Sequence, residues 1–61
     1  MRRVMLYVKY YREDWWEPAW DTPREVIGKG GNIQKDINEL LAGNKYPIEK
    51  DGIIAYELRE A

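Results

Sequence analysis

A glycine-rich segment that contains a lysine, Gly28-Lys29-Gly30-Gly31, is the part of the sequence best suited to bind an anion. Because glycine has no Cβ, this glycine turn (residues 28–31) can approach another backbone closely. An apolar helical pattern follows, and the amides and dipole at the start of a helix favour anions. Lys29 adds a positive charge, and Lys35 extends it. The segment indicates either a phosphate-binding turn or a simple helix cap followed by a tight turn.

Three tryptophans, Trp15, Trp16 and Trp20, lie in an acidic segment without periodicity, the tryptophan loop (residues 12–21). They could anchor a protein interface, because tryptophan dominates binding hot spots. They could also fill the core, because the chain has no phenylalanine. Adjacent residues of an extended segment point in opposite directions. We therefore expect the tryptophans to divide between core and surface, with Trp15 or Trp16 exposed.

Composition excludes the common kinds of catalysis. The 61 residues contain no cysteine, histidine or serine, so disulfides, Cys/His zinc sites and the usual nucleophile–base pairs cannot form. The acidic residues of the tryptophan loop match no calcium-binding spacing. No apolar run is long enough to span a membrane, and the net charge of −1 points to no partner class. We expect a cytoplasmic, non-catalytic protein without a metal, a cofactor or a membrane partner.

Alternating apolar residues at 4–10 and 53–58 predict two strands within a single domain that covers residues 1–61. Tyr46 and Ile48 predict a short strand before the second of these, and Lys50-Asp51-Gly52 predicts the hairpin turn between them. The absence of a long linker or repeat agrees with one small domain. The sheet is therefore expected to have three strands.

Two helices are predicted between these strands. Thr22, Pro23 and Glu25 form a capping box, which predicts a helix of two turns or fewer that ends at Gly28. Apolar residues at 33, 37, 40 and 41 predict a second helix at about 32–42, with Asn32 as its cap. The expected fold is α+β, in the order strand, helix, helix, strand, strand, with both helices on one face of the sheet.

The string Val26-Ile27-Gly28-Lys29-Gly30-Gly31, between two predicted helices, resembles the signature of the KH (K-homology) domain. In that family a Gly-x-x-Gly loop joins two helices, and the loop clamps about four nucleotides of single-stranded RNA or DNA. The resemblance covers roughly residues 22–58. The nucleic-acid contacts that it implies here are Ile27, Gly28, Lys29, Gly30, Gly31, Ile33 and Lys35.

Two functions are open from the sequence. The first is a KH-like module that binds single-stranded RNA or DNA through the glycine turn. The second is a small protein-binding module, such as a phage-type inhibitor or adaptor, that acts on a host or partner protein. The interface of this second module would consist of Glu13, Asp14, Trp15, Trp16 and Trp20. A homodimer through an exposed sheet edge is a further possibility.

Overall fold

The computed structural model describes residues 2–43 and 52–61, which form four strands and one helix. The strands are β1 (Arg3–Tyr10), β2 (Glu17–Pro18), β3 (Arg24–Glu25) and β4 (Ile53–Glu60), and the helix is α1 (Gly31–Ala42). The α+β class is therefore confirmed, as are the strands at 4–10 and 53–58 and the helix at about 32–42. The predicted strand with Tyr46 and Ile48 lies outside the described residues, as does most of its turn.

β1 is the strand with which β2, β3 and β4 all pair, each in antiparallel orientation. Along one edge it pairs with β4 through a long ladder in which Leu6 is opposite Leu58. Along the other edge it pairs with β3 near its start and with β2 near its end. Pro18 lies in β2, where a residue without an N–H group is tolerated because the strand is at the edge. Among the described residues alone, the sheet thus has four strands, whereas the sequence predicted three strands in all.

The core lies between the sheet and α1. Alternate residues of β1 point to this side, and residues one helical turn apart in α1 point back to them. The buried apolar residues form one cluster: Val4, Leu6, Val8, Trp20, Ile33, Ile37 and Ile53. The opposite face of the sheet carries no helix among residues 2–43 and 52–61. We call it the open face.

The prediction of a short helix before Gly28 is wrong, because Arg24 and Glu25 form β3. β3 pairs with the start of β1, and the N–H of Val26 donates to the carbonyl of Arg2 at 2.9 Å. A helix this short would be only marginally stable, because few of its residues could make intrahelical hydrogen bonds. Pairing with β1 satisfies the same backbone groups at once. In the part of the chain that the structure describes, a single helix therefore replaces the expected pair of helices.

Candidate functional site

The glycine turn contains two residues with a left-handed backbone conformation. Gly28 has φ 61° and Gly30 has φ 89°, values that L side chains rarely adopt. Gly30 immediately precedes α1, and its carbonyl accepts hydrogen bonds from the amides of Ile33 and Gln34 at 3.1 and 3.0 Å. Gly30 therefore has a structural role in starting the helix, whatever the turn binds.

The side chain of Asn32 holds the turn against the segment that follows β3. Its Oδ1 accepts a hydrogen bond from the N–H of Ile27 at 3.2 Å, and its Nδ2 donates to the carbonyl of Glu25 at 3.0 Å. The prediction that Asn32 is the helix cap is wrong, because Gly30 holds that position and Asn32 lies in the first turn. Asn32 instead connects the extended segment to the start of α1.

Alanine substitutions at two glycines of the turn should have opposite effects on stability. Gly30→Ala should cost about 1–2 kcal/mol, because a residue with a Cβ is strained in the left-handed region. Gly31→Ala should be neutral or stabilising by up to about 1 kcal/mol, because Gly31 begins the helix and an added Cβ meets no atom within 4 Å. Urea denaturation of both variants measures the difference. Equal effects would contradict the assignment of strain to Gly30.

A groove of about 180 Å³ lies beside the glycine turn, between the start of α1 and the β1–β4 pair. It is lined by Arg2, Val26, Lys29, Gly30, Ile33, Gln34 and Leu58. Sites that enclose small molecules usually measure about 300–1,000 Å³. The groove is therefore too small to enclose a nucleotide, and it fits one group of a ligand that continues over the surface.

One side of this groove is cationic and the other is apolar. Arg2 forms an exposed ion pair with Glu60 at 2.7 Å, whereas Lys29 has no ion pair within the described part of the chain. Ile33 is only 3% exposed and forms the floor. Leu58 is 41% exposed and offers apolar surface at the side of the groove. The arrangement suits a ligand that carries a negative charge next to an apolar group.

The structure brings together some of the residues predicted to bind nucleic acid and not others. Lys29, Gly30 and Ile33 line the groove. Ile27 is 66% exposed and immediately precedes the turn, and Gly28 and Gly31 are the first and last residues of the turn. Lys35 is exposed on α1 and does not line the groove, because a residue two positions after Ile33 points away from the same helix face.

Sequence reasoning missed Arg2 and Leu58, which complete the groove from outside the glycine turn. They meet there because β1 and β4 pair in antiparallel orientation. A signal was present, since both strands have a clear two-residue period over a similar length. Antiparallel pairing of those two strands would have placed the residue before β1 near the end of β4.

The tryptophans of the tryptophan loop divide between core and surface, as predicted. Trp20 is 8% exposed and belongs to the core, whereas Trp15 and Trp16 are exposed, so two indoles and not one are at the surface. The Nε1–H of Trp15 donates to Glu17 at 3.2 Å. Of the two acidic residues predicted for a protein interface, Glu13 is half-buried and Asp14 is exposed.

Trp16 extends the tryptophan loop towards the open face of the sheet. The guanidinium carbon of Arg59 lies 6.0 Å from the centroid of the Trp16 ring and 4.2 Å from that of Tyr7. Both distances are within the range of a cation–π contact, and the contact with Tyr7 is the closer of the two. The open face therefore carries exposed aromatic surface that is distinct from the groove on the helix side.

No protein-family model matches the chain, and searches of curated proteins and of solved structures also return no match. The resemblance to the KH domain therefore stays a prediction. Within residues 2–43 and 52–61, no helix is long and apolar enough to cross a membrane. The same residues contain no group of three or more side chains that could hold a metal ion.

Proposed function

We propose that this protein is a small, non-catalytic module that binds single-stranded nucleic acid in the groove beside Lys29. The observation that carries the proposal is the pairing of Lys29 with an exposed apolar side chain, Leu58, in one open groove. One phosphate would contact Lys29 and a second would contact Arg2, and the sugar or base between them would pack on Leu58. The proposal depends on this groove and not on a pair of helices, because β3 occupies the place of the first helix.

An aromatic side chain next to the groove supports a ligand with planar bases. Tyr56 and Leu58 are opposite Val8 and Leu6, which belong to the core beneath α1, so both lie on the α1 side of the sheet. Tyr56 is 44% exposed, and stacking of a base on such a ring contributes about 1–3 kcal/mol. Single strands expose the faces of their bases, whereas duplexes do not. The proposed ligand is therefore a short single strand bound with micromolar affinity.

Removal of one charge from the groove should weaken this binding in a way that depends on salt. With two phosphates contacted, the slope of log K against log salt should be about −1.4 for a single strand, and Lys29→Gln should reduce its magnitude by about 0.7. Lys9→Gln is the matched control, because Lys9 lies opposite Ala55 on the open face and should change neither affinity nor slope. Fluorescence anisotropy of a labelled oligonucleotide, measured over a salt series, gives both quantities.

Amide chemical shifts during the same titration locate the contact. We expect the largest changes at residues 26–34 and at Leu58, because these surround the groove. If the changes cluster on the open face, or if Lys9→Gln and Lys29→Gln have equal effects, the groove is not the binding site. No shift at millimolar oligonucleotide would remove the nucleic-acid function altogether.

A protein-binding surface in the tryptophan loop is a second candidate function, favoured by the exposure of Trp15, which is 55% exposed. It corresponds to a small inhibitor or adaptor, of the kind that phages make, directed at a host or partner protein. Truncation of an exposed tryptophan that anchors an interface weakens binding by about 2 kcal/mol or more. A partner that is captured after nuclease treatment, and lost with Trp15→Ala, would support this function. Retention of that partner by Trp15→Ala would count against it.

A further inference from the structure

The outer edge of β4 has no strand partner within residues 2–43 and 52–61. β4 runs for eight residues, Ile53–Glu60, and contains neither the proline nor the lysine that commonly protect an edge strand. Tyr56 and Leu58, on its helix-side face, are both exposed. An edge with this length and composition can accept another strand.

The direction of the backbone groups in β4 identifies which residues face outward. The N–H of Ala61 donates to the carbonyl of Arg3 at 3.1 Å, so the backbone of Ala61 faces β1. Because the N–H and C=O groups of successive strand residues point to opposite edges, the backbones of Glu57 and Arg59 also face β1. Those of Tyr56, Leu58 and Glu60 face outward, away from β1, and have no strand partner among residues 2–43 and 52–61.

One register of β4 against a second copy of itself is favoured by charge. With Leu58 opposite the Leu58 of the other copy, Glu57 is opposite Arg59 twice, which gives two attractive cross-strand pairs. A shift that centres the pairing on Glu57 would instead bring two like charges together. A shift centred on Tyr56 would place Leu58 opposite Ile54. The pairing would then extend into the part of β4 that lies next to the irregularity at the Lys9–Tyr10 end of the β1–β4 ladder.

We propose that the protein forms a symmetric homodimer in which β4 pairs in antiparallel orientation with β4 of a second copy, with Leu58 at the two-fold axis. The outward-facing residues would then form about six main-chain hydrogen bonds, two for each hydrogen-bonded pair. The two-fold axis is perpendicular to the sheet, so both helices lie on the same side. Because Leu58 also lines the groove, the two grooves meet across the axis. This inference goes beyond the nucleic-acid function and does not depend on it.

Charge reversal at the two cross-strand positions tests the pairing. The apparent mass in sedimentation should rise with concentration from 7.3 kDa towards twice that value. Glu57→Arg and Arg59→Glu should each weaken the dimer at least ten-fold, because each puts like charges opposite one another. An equimolar mixture of the two variants should restore association, because both cross-strand pairs are then attractive. Circular dichroism of each variant confirms that it is folded.

Single cysteines test the register, since the chain has none of its own. Opposed residues of a hydrogen-bonded antiparallel pair have Cα atoms about 5.5 Å apart, which is within the range that a disulfide spans. Leu58→Cys should therefore cross-link to a covalent dimer under mild oxidation. Tyr56→Cys is the matched control, because the two copies of residue 56 would be four positions out of register, roughly 14 Å apart. It should cross-link at least ten-fold more slowly.

Three results would overturn the proposal. The first is a protein that stays monomeric at every concentration. Slow hydrogen exchange of the Tyr56 and Leu58 amides in that monomer would mean that the chain's own residues cover this edge. The second is a dimer that Tyr56→Cys cross-links and Leu58→Cys does not. The third is a dimer that neither charge reversal weakens, since its contact would then lie elsewhere.

Discussion

Replacement of Trp20 by alanine is expected to destabilise the protein by about 3–5 kcal/mol, which is close to the entire stability that a core of this size supplies. Trp20 belongs to the buried cluster, and the guanidinium carbon of Arg24 lies 4.4 Å from the centroid of its ring. Arg24 is in turn ion-paired with Asp36 of α1. Trp20 thus fills the core and lies under an arginine that connects β3 to the helix.

Trp15→Ala is the matched control for this prediction, because it removes the same side chain from an exposed position. It should change the free energy of unfolding by no more than about 0.5 kcal/mol. Urea denaturation followed by circular dichroism measures both variants on one scale. Comparable losses for the two would mean that Trp20 is not the indole that supports the core.

The second large effect is expected at Ile37, which is 1% exposed and lies in the centre of the helix face that packs on β1. Ile37→Ala should cost about 2–5 kcal/mol, because it removes buried methyl groups and leaves a cavity. Ile37→Val removes less and should cost about 0.5–1.5 kcal/mol. The graded loss distinguishes a packing effect from a general effect of mutation in α1.

Ile27→Ala is the control for the isoleucine series, because Ile27 is the same residue type on the surface. Its free energy of unfolding should stay within about 0.5 kcal/mol of the parent value. The same denaturation experiment compares all three variants. If Ile27→Ala is as harmful as Ile37→Ala, the side of the chain that faces the core has been assigned wrongly.

The elements that could be predicted from the sequence are those with a sustained period. β1 and β4 alternate over several residues, and the Ile33 and Ile37 pair repeats at helical spacing, so each was found from local information alone. β3 was not found, because Thr22, Pro23 and Glu25 carry a local helix signal. The short helix that this signal favours is less stable than the pairing of β3 with β1. Local spacing does not reveal that pairing.

The candidate site shows the same division between local and distant information. Lys29 and Gly30 could be found because they are neighbours in the sequence and their residue types are informative. Arg2 and Leu58 could not be found in this way, because only the pairing of β1 with β4 brings them to the turn. Leu58, which gives the groove its apolar side, therefore could not be recognised from sequence motifs.

The dependence of every strand on β1 has a consequence for the time at which the domain can fold. Val4 pairs with Glu60 and Tyr10 pairs with Ile53, so the main ladder joins residues that are between 43 and 56 positions apart in the chain. Contacts of such long sequence separation slow folding, and a nascent chain that ends after α1 lacks the partner for one whole edge of β1. The sheet can therefore be completed only after β4 has been synthesised.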